Sequence, residues 1–546
     1  MNWALGVIAV IIVYYLISNY ASKNRYKKLR NKLAENWGKP KADEYYNFDI
    51  IRRYFDNSTL KYYHKISDKV SIDLDIDDVF KFVDRTTSKI GQQFLYFKLR
   101  TIEGLENLKE FDKRVSFFQN NREIALKCQF MLSNLDSYDA YAFEELINGE
   151  QVKKPKVLTL LKVLSVLALA SIIGAFFYPI CSLALVPILV VNSFFHYKNK
   201  GNINYYLNGV SQLSIALRVS KSLITITELK AYFKDVSFIH KANSVQLKTA
   251  FISFEKNLSN EFAFIFWFII EIVKIQFNVE YILFYSFIDG ITKEKESIEK
   301  MYLFIGEVDA AISTASLKDG NLKLCTPEFT KENTINTVEI EHPLIKNCIP
   351  NNFKIVDSSL LLTGSNMSGK TTFIRTIGIN SVLAQTLNIC FATKYKAPYF
   401  KIYSSIKISD DLLDSTSYYL EEVLSIKELI SSTENTLPCL IILDEIFKGT
   451  NTVERISGGK AILSFLNKGN NVVLVSTHDI ELTDLLKIEK YQLFHFSESI
   501  DNNNLIFDHK LKEGKLKTRN AIKILELYKY PSEIIENARK TETIFN

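Results

Sequence analysis

VLSVLALASIIGAFFYPICSLALVPILVV, residues 163 to 191, contains no charged side chain. Extended to residues 157–196, the run is about twice the roughly 20 apolar residues a helix needs to cross a bilayer. Tyr178-Pro179 near its middle reads as the turn of a hairpin. Lys153, Lys154 and Lys156 precede it and Lys198 and Lys200 follow, which predicts that both ends are cytoplasmic. Lys162 stands near the start of the first span, where its stem can reach the headgroups. A second apolar run, Asn2 to Ser18, is followed by Lys23, Arg25, Lys27, Lys28, Arg30 and Lys32. A cleavable leader carries its charge on the other side, so this run is expected to be a retained anchor with its N-terminus outside. FAFIFWFII at 262–270 runs into Glu271 and Lys274 and reads as a core helix. The expectation is a multi-pass membrane protein of about three spans, with everything after residue 197 cytoplasmic.

A chain of 546 residues exceeds one ordinary core, so several domains are expected. Its net charge of +6, from 67 basic and 61 acidic residues, implies no strong polyanion affinity by itself. Cys128, Cys181, Cys325, Cys348, Cys390 and Cys439 are scattered, with no C-x-x-C pair, which disfavours a zinc site or a disulfide framework and fits a reducing compartment.

After Phe353 the pattern changes to short aliphatic runs, each followed by a helix. SSLLLTGSNMSGKTTFIRTIG reads as strand, Gly-rich turn and helix. Gly364 and Gly369 let backbone N–H groups wrap a phosphate, Lys370 reaches the outer phosphates, and the Thr371 hydroxyl can hold Mg²⁺. Ser365, Asn366, Met367, Ser368 and Thr372 complete the expected ATP-binding loop. In LPCLIILDEIFKGTN a buried strand ends at Asp444, expected to hold Mg²⁺ partly through water, and Glu445, expected to polarise an attacking water. NVVLVSTHDIEL ends at His478, placed to sense the γ-phosphate. ISGGK at 456–460 looks like the signature of transporter ATPases, but that signature precedes the acidic strand and this segment follows it. Its glycines are expected to serve close helix packing.

These residues resemble the MutS mismatch-repair ATPases. The loop from Thr363 to Thr371 is similar to the family's Thr-Gly-Pro-Asn-Met-x-Gly-Lys-Ser/Thr, with Asn366 and Met367 as the discriminating positions. SDDLLDSTSYYLEE, LDEIFKGTNT, STHDIEL and EHPLI at 341–345 also look like family segments. The resemblance implies that Ser417 completes the partner subunit's ATP site in trans. It extends upstream through DDVFKFVDRTTSKIGQQFLYFKLRTIEGLENLKEF and GEVDAAISTAS, similar to the helical core and lever, and downstream through a C-terminal pairing segment. Two departures stand out. About 50 residues separate the first span from the lever-like segment, which leaves no room for the family's mismatch reader, and the hairpin occupies the place of the long DNA clamp. Ser365 replaces a proline and Ser415 a glycine.

The implied fold class is an α/β P-loop NTPase domain, MutS/ABC-like, with a mainly α-helical core/lever domain bearing transmembrane helices. The expected order is an anchor at 1–20, helical core/lever at 21–156, a transmembrane hairpin at 157–197, core/lever again at 198–325, the ATPase domain at 326–519 and a helical dimerisation segment at 520–546. The implied function is a membrane-anchored dimeric lever or clamp driven by ATP hydrolysis with Mg²⁺, using Lys370, Glu445 and His478. The expected partners are a second copy, the lipid bilayer and double-stranded DNA. The alternative is a membrane-remodelling or transport-coupled ATPase that does not act on DNA.

Overall fold

The longest helices belong to the part of the chain before residue 320. A computed structural model describes residues 2–42, 44–149, 153–233, 235–247, 264–320, 322–365, 368–407, 418–433, 437–447, 449–501, 504–516 and 521–545. The chain divides into two compact units. One comprises residues 1–60, 84–97 and 113–320; the other comprises 61–83, 98–112 and 321–546.

The first unit is helical. Asn2–Asn36 forms one uninterrupted helix, and Tyr26 on it packs edge-on against Phe130. The central helix, Lys295–Lys318, is buried along most of its length. Gly306 on this helix lies so close to Phe94 that a Cβ there would collide with the ring. Three residues onward, the buried Asp309 carboxylate accepts hydrogen bonds from Thr87 N (2.9 Å), Ser88 N (2.7 Å) and Ser88 Oγ (2.6 Å). It thereby satisfies donors at the start of the helix that begins at Lys89. Burial outweighs these bonds and pushes the carboxyl up to about 6.

Val157–Ala175 is a helix, Tyr178 is extended, and Pro179 opens a 3₁₀ turn that leads into the helix Leu185–Leu223. Proline lacks the N–H that a continuing helix needs, so the turn falls where Tyr178-Pro179 predicts it. Among the described residues, two segments are long and apolar enough to cross a membrane, Val157–Ala175 and Pro179–Lys198. Only 11% and 17% of their most apolar windows are buried. They therefore differ from the core helices of a soluble domain. Most side chains of the expected N-terminal span lie outside the described residues, so the expected count of three stands at two. Phe264–Gln276 and Val279–Lys293 form a further helical pair, turning at Asn278 with φ +47°. Asn192 Nδ2 donates to Gln276 O (2.8 Å) and Ser165 Oγ to Phe277 O (2.7 Å), which fixes that turn against the apolar hairpin. Glu271 and Lys274 point inward, 2.7 Å apart. His196 faces Glu271 at 3.4 Å and Glu280 at 3.6 Å.

The second unit centres on a six-stranded sheet. Its elements are β1 (Ser359–Thr363), α1 (Lys370–Leu387), β2 (Lys401–Ser405), α2 (Tyr418–Thr433), β3 (Cys439–Asp444), α3 (Thr452–Leu466), β4 (Val472–Thr477), α4 (Glu481–Lys487), β5 (Tyr491–His495) and β6 (Lys512–Glu513). The strand order is β6-β5-β1-β4-β3-β2, with only the β6–β5 pair antiparallel. β1 and β4 are buried on both faces and read as unbroken apolar runs, as central parallel strands do. A four-stranded sheet, Glu328–Phe329, Lys394–Ala397, Thr334–Ile340 and Asn351–Val356, lies beside it in the chain. Residues 61–83 join this unit through Asp73. Its carboxylate accepts from Ser404 Oγ (2.7 Å), Ile406 N (3.0 Å) and Lys407 N (2.8 Å) and so terminates β2. Two helices, Ala521–Leu527 and Ser532–Phe545, end the chain.

Candidate functional site

The C-terminal ends of β1, β3 and β4 converge where β1 hands over to α1. Gly369 is the residue before α1 and takes φ +106°, a conformation that a side chain would strain. That geometry turns the loop back so that Lys370 Nζ donates to the carbonyls of Gly364 (2.8 Å) and Ser365 (3.0 Å). Ser365 Oγ donates to Glu498 (2.8 Å). Ser368 is buried, and its Oγ has no hydrogen-bond partner among the described residues. An unpaired buried hydroxyl at a helix N-terminus is suited to an anionic ligand. Asn366, Met367 and Ser417 lie outside the described residues.

At the end of β3, Asp444 receives hydrogen bonds from Thr371 Oγ1 (2.9 Å) and from Ser476 Oγ. A hydroxyl and a carboxylate at a helix N-terminus are the hard oxygen donors that Mg²⁺ prefers, so the residues present fit that ion. Glu445 follows in a left-handed conformation (φ +55°), with its N–H bonded to Ser476 O (2.8 Å). This bend turns the carboxylate out of the strand line, and His478 Nδ1 lies 3.1 Å from Glu445 Oε1. Asp479, beside that histidine, is held by Arg455 through bonds of 2.8 and 2.7 Å.

These groups border a cavity of about 610 Å³ lined by Ser365, Gly369, Lys370, Thr371, Thr372, Asp444 and Glu445. Further lining was not apparent in the sequence: Cys348, Ile349, Phe496 and His509. His509 Nδ1 donates to Ser368 O (3.0 Å), since a carbonyl only accepts, and this bond ties the imidazole to the loop. An apolar wall opposite a polar loop gives the cavity one end for a flat ring and one end for phosphates. EHPLI contributes Ile345 to the lining, whereas His342 is buried behind it, and that burial drives its imidazole down to about 4.

Gly458 of the ISGGK segment lies under Phe447, where a Cβ would come within 2.8 Å of the ring, while Gly459 has only an ordinary contact. Close packing thus accounts for the first glycine alone. Three lysines after His509 have internal partners: Lys510 Nζ with Pro350 O (2.9 Å), Lys512 with Asp508 (2.6 Å) and Lys515 with Asp484 (2.7 Å).

Residues 360–546 match the family model for MutS domain V. Through this region the chain resembles the C-terminal domain of the MutS family. The DNA mismatch repair protein MutS of Listeria welshimeri is 28% identical over 274 residues, covering 48% of this chain and 32% of that protein. The MutS proteins of Staphylococcus carnosus and Aquifex pyrophilus are each 30% identical over 274 residues, 48% of this chain and 31% and 32% of theirs. The match therefore spans about a third of the length of these curated relatives. The whole cavity except Ile340 to Asn351 falls within the MutS domain V match.

Proposed function

We propose that this protein is a membrane-anchored MutS-type ATPase whose second unit is a P-loop NTPase. The observation that carries this reading is the Thr371–Asp444 pair at 2.9 Å beside the Lys370 loop, with Glu445 and His478 paired at 3.1 Å next to it. Thr371 and, through water, Asp444 would hold Mg²⁺, which would neutralise charge on the outer phosphates of ATP. Lys370 gives its two loop carbonyls for phosphate oxygens, and Ser368 Oγ and the α1 N-terminus donate to the same group. Glu445, bent out of β3, orients or deprotonates the attacking water. His478 holds the Glu445 carboxylate in place and comes within reach of the γ-phosphate. Stacking against His509 and the Ile345–Ile349 wall seats the base.

The working form is a dimer in which Ser417 of each copy completes the other's site, and residues 520–546 pair the subunits. The apolar hairpin, mostly uncovered within the protein, lies in the bilayer, because that much exposed apolar surface demands a nonaqueous neighbour. With the basic flanks, this places the ATPase unit in the cytoplasm.

The relatives' name, DNA mismatch repair protein, makes double-stranded DNA the first ligand to test. The internal pairing of Lys510, Lys512 and Lys515 favours the second reading, an ATPase that works on the membrane or on transport without DNA. ATP hydrolysis by the full chain in detergent, with and without homoduplex, mismatched and branched DNA at two salt concentrations, separates them. Salt-sensitive stimulation supports DNA; a flat response supports the second reading.

A further inference from the structure

Cys325 and Cys390 stand 65 positions apart in the chain and meet as an antiparallel pair in the second unit. Each backbone N–H bonds to the other's carbonyl, Cys325 N to Cys390 O at 2.9 Å and Cys390 N to Cys325 O at 3.0 Å. Residues that exchange both bonds have Cα atoms about 5.5 Å apart and project their side chains to the same face. A disulfide needs a Cα separation of roughly 4.4–6.8 Å, and a pair of this kind falls inside that range. Both sulfurs are free thiols. Cys325 is partly exposed and Cys390 is fully buried, which gives the pair one sulfur a reagent can reach and one it cannot.

We propose that Cys325 and Cys390 form a reversible disulfide by exchange with a small-molecule disulfide, and that this bond is a redox modification site at the root of α1. Cys325 sulfur attacks one sulfur of the reagent and releases the first small thiol. Cys390 sulfur then attacks Cys325 in the mixed disulfide and releases the second. Two electrons pass from the pair to the reagent, and the two cysteine protons leave on the two released thiols. The sulfurs differ in the sense this order requires. Contact with the Cys390 thiol holds Cys325 below its ordinary value, favouring the attacking thiolate, while burial pushes Cys390 well above it.

The bond has a route to the cavity. Cys390 Sγ donates to Asn380 Oδ1 on α1 (3.2 Å), and that oxygen also accepts Phe391 N–H (2.7 Å). The amide nitrogen of Asn380 donates to Glu341 O (3.1 Å) and Thr376 O (2.9 Å). Thr376 and Ile340, the neighbour of Glu341, both line the cavity. Oxidation removes the thiol donor from Asn380 and so loosens the carboxamide that ties these two lining segments together.

The test treats purified full chain in detergent with oxidised glutathione and maps the cysteines by mass spectrometry. A Cys325–Cys390 cross-linked peptide that dithiothreitol reverses, with C390S trapping glutathione on Cys325, is expected. Free Cys390 with glutathione on Cys325 in the unmutated protein, or a cross-link to any other cysteine, overturns the proposal. The consequence at the cavity rests on the nucleotide reading: ATP affinity is expected to differ at least threefold between the oxidised and reduced forms. Equal affinities overturn the regulatory role, and absence of ATP binding in both forms refutes the nucleotide reading while leaving the mapped bond standing.

Discussion

In the proposed site, Thr371 and Asp444 are the pair that would hold the metal. Each offers one oxygen, and Asp444 is further oriented by Ser476. Replacing Thr371 by Val keeps the shape and removes the hydroxyl, so Mg²⁺-dependent ATP binding is expected to weaken by roughly tenfold, the size of one lost bond to a charged group. Binding without Mg²⁺ should barely change; isothermal titration with and without the ion makes the comparison. Two histidines give the second unit a pH signature. Burial pushes both His64 and His342 down to about 4. Unfolded, each takes its proton near 6.5, so between these values the unfolded chain binds more protons than the fold. The stability they contribute is complete above pH 6.5 and is lost as pH falls toward 4, on the order of 3 kcal/mol for each group. His64 Nε2 donates to Ile402 O, and His342 Nδ1 accepts from Leu344 N. H64Q and H342N keep those roles without a titratable ring. The double variant is expected to show a flatter loss of melting temperature between pH 6.5 and 4.5 in differential scanning calorimetry.

At the scale of elements, the crossing of Lys295–Lys318 with the helix that begins at Lys89 depends on the absence of a side chain at Gly306, because Phe94 fills the space a Cβ requires. G306A is expected to destabilise the helical unit by about 1–3 kcal/mol, the usual cost of overpacking, seen as faster amide exchange in that helix. Local elements were the part of the fold most legible in the sequence. The β1–loop–α1 unit, the buried run of β3 and the turn at Tyr178-Pro179 each carry their own signal in adjacent residues. What escaped was long-range: Phe496 and His509 reach the cavity from loops that follow strands and have no motif of their own, and Cys325 finds Cys390 only through an isolated backbone bridge. Asp73, on a helix more than 300 positions earlier, caps the end of β2 through its carboxylate. Pairing between distant segments leaves no period in either one, so no local pattern predicts it.

For the whole molecule, the proposed topology puts the first unit's long apolar hairpin in the bilayer with its turn outside. Cys181 lies in that turn and Cys348 lines the cavity. Single-cysteine variants in intact cells are therefore expected to take up a membrane-impermeant maleimide at Cys181 and to stay unlabelled at Cys348 until the cells are opened. Labelling of Cys348 from outside would place the cavity on the wrong side for cytoplasmic ATP. The proposed motor also requires that the bent carboxylate of β3 act on water after ATP is bound. Steady-state hydrolysis and ATP binding, measured together on the unmutated chain and on E445Q, test that most directly. The expected result is turnover in the unmutated chain that falls by at least about 100-fold in E445Q while ATP affinity is kept. Equal turnover in the two proteins, or no ATP bound by either, would contradict it.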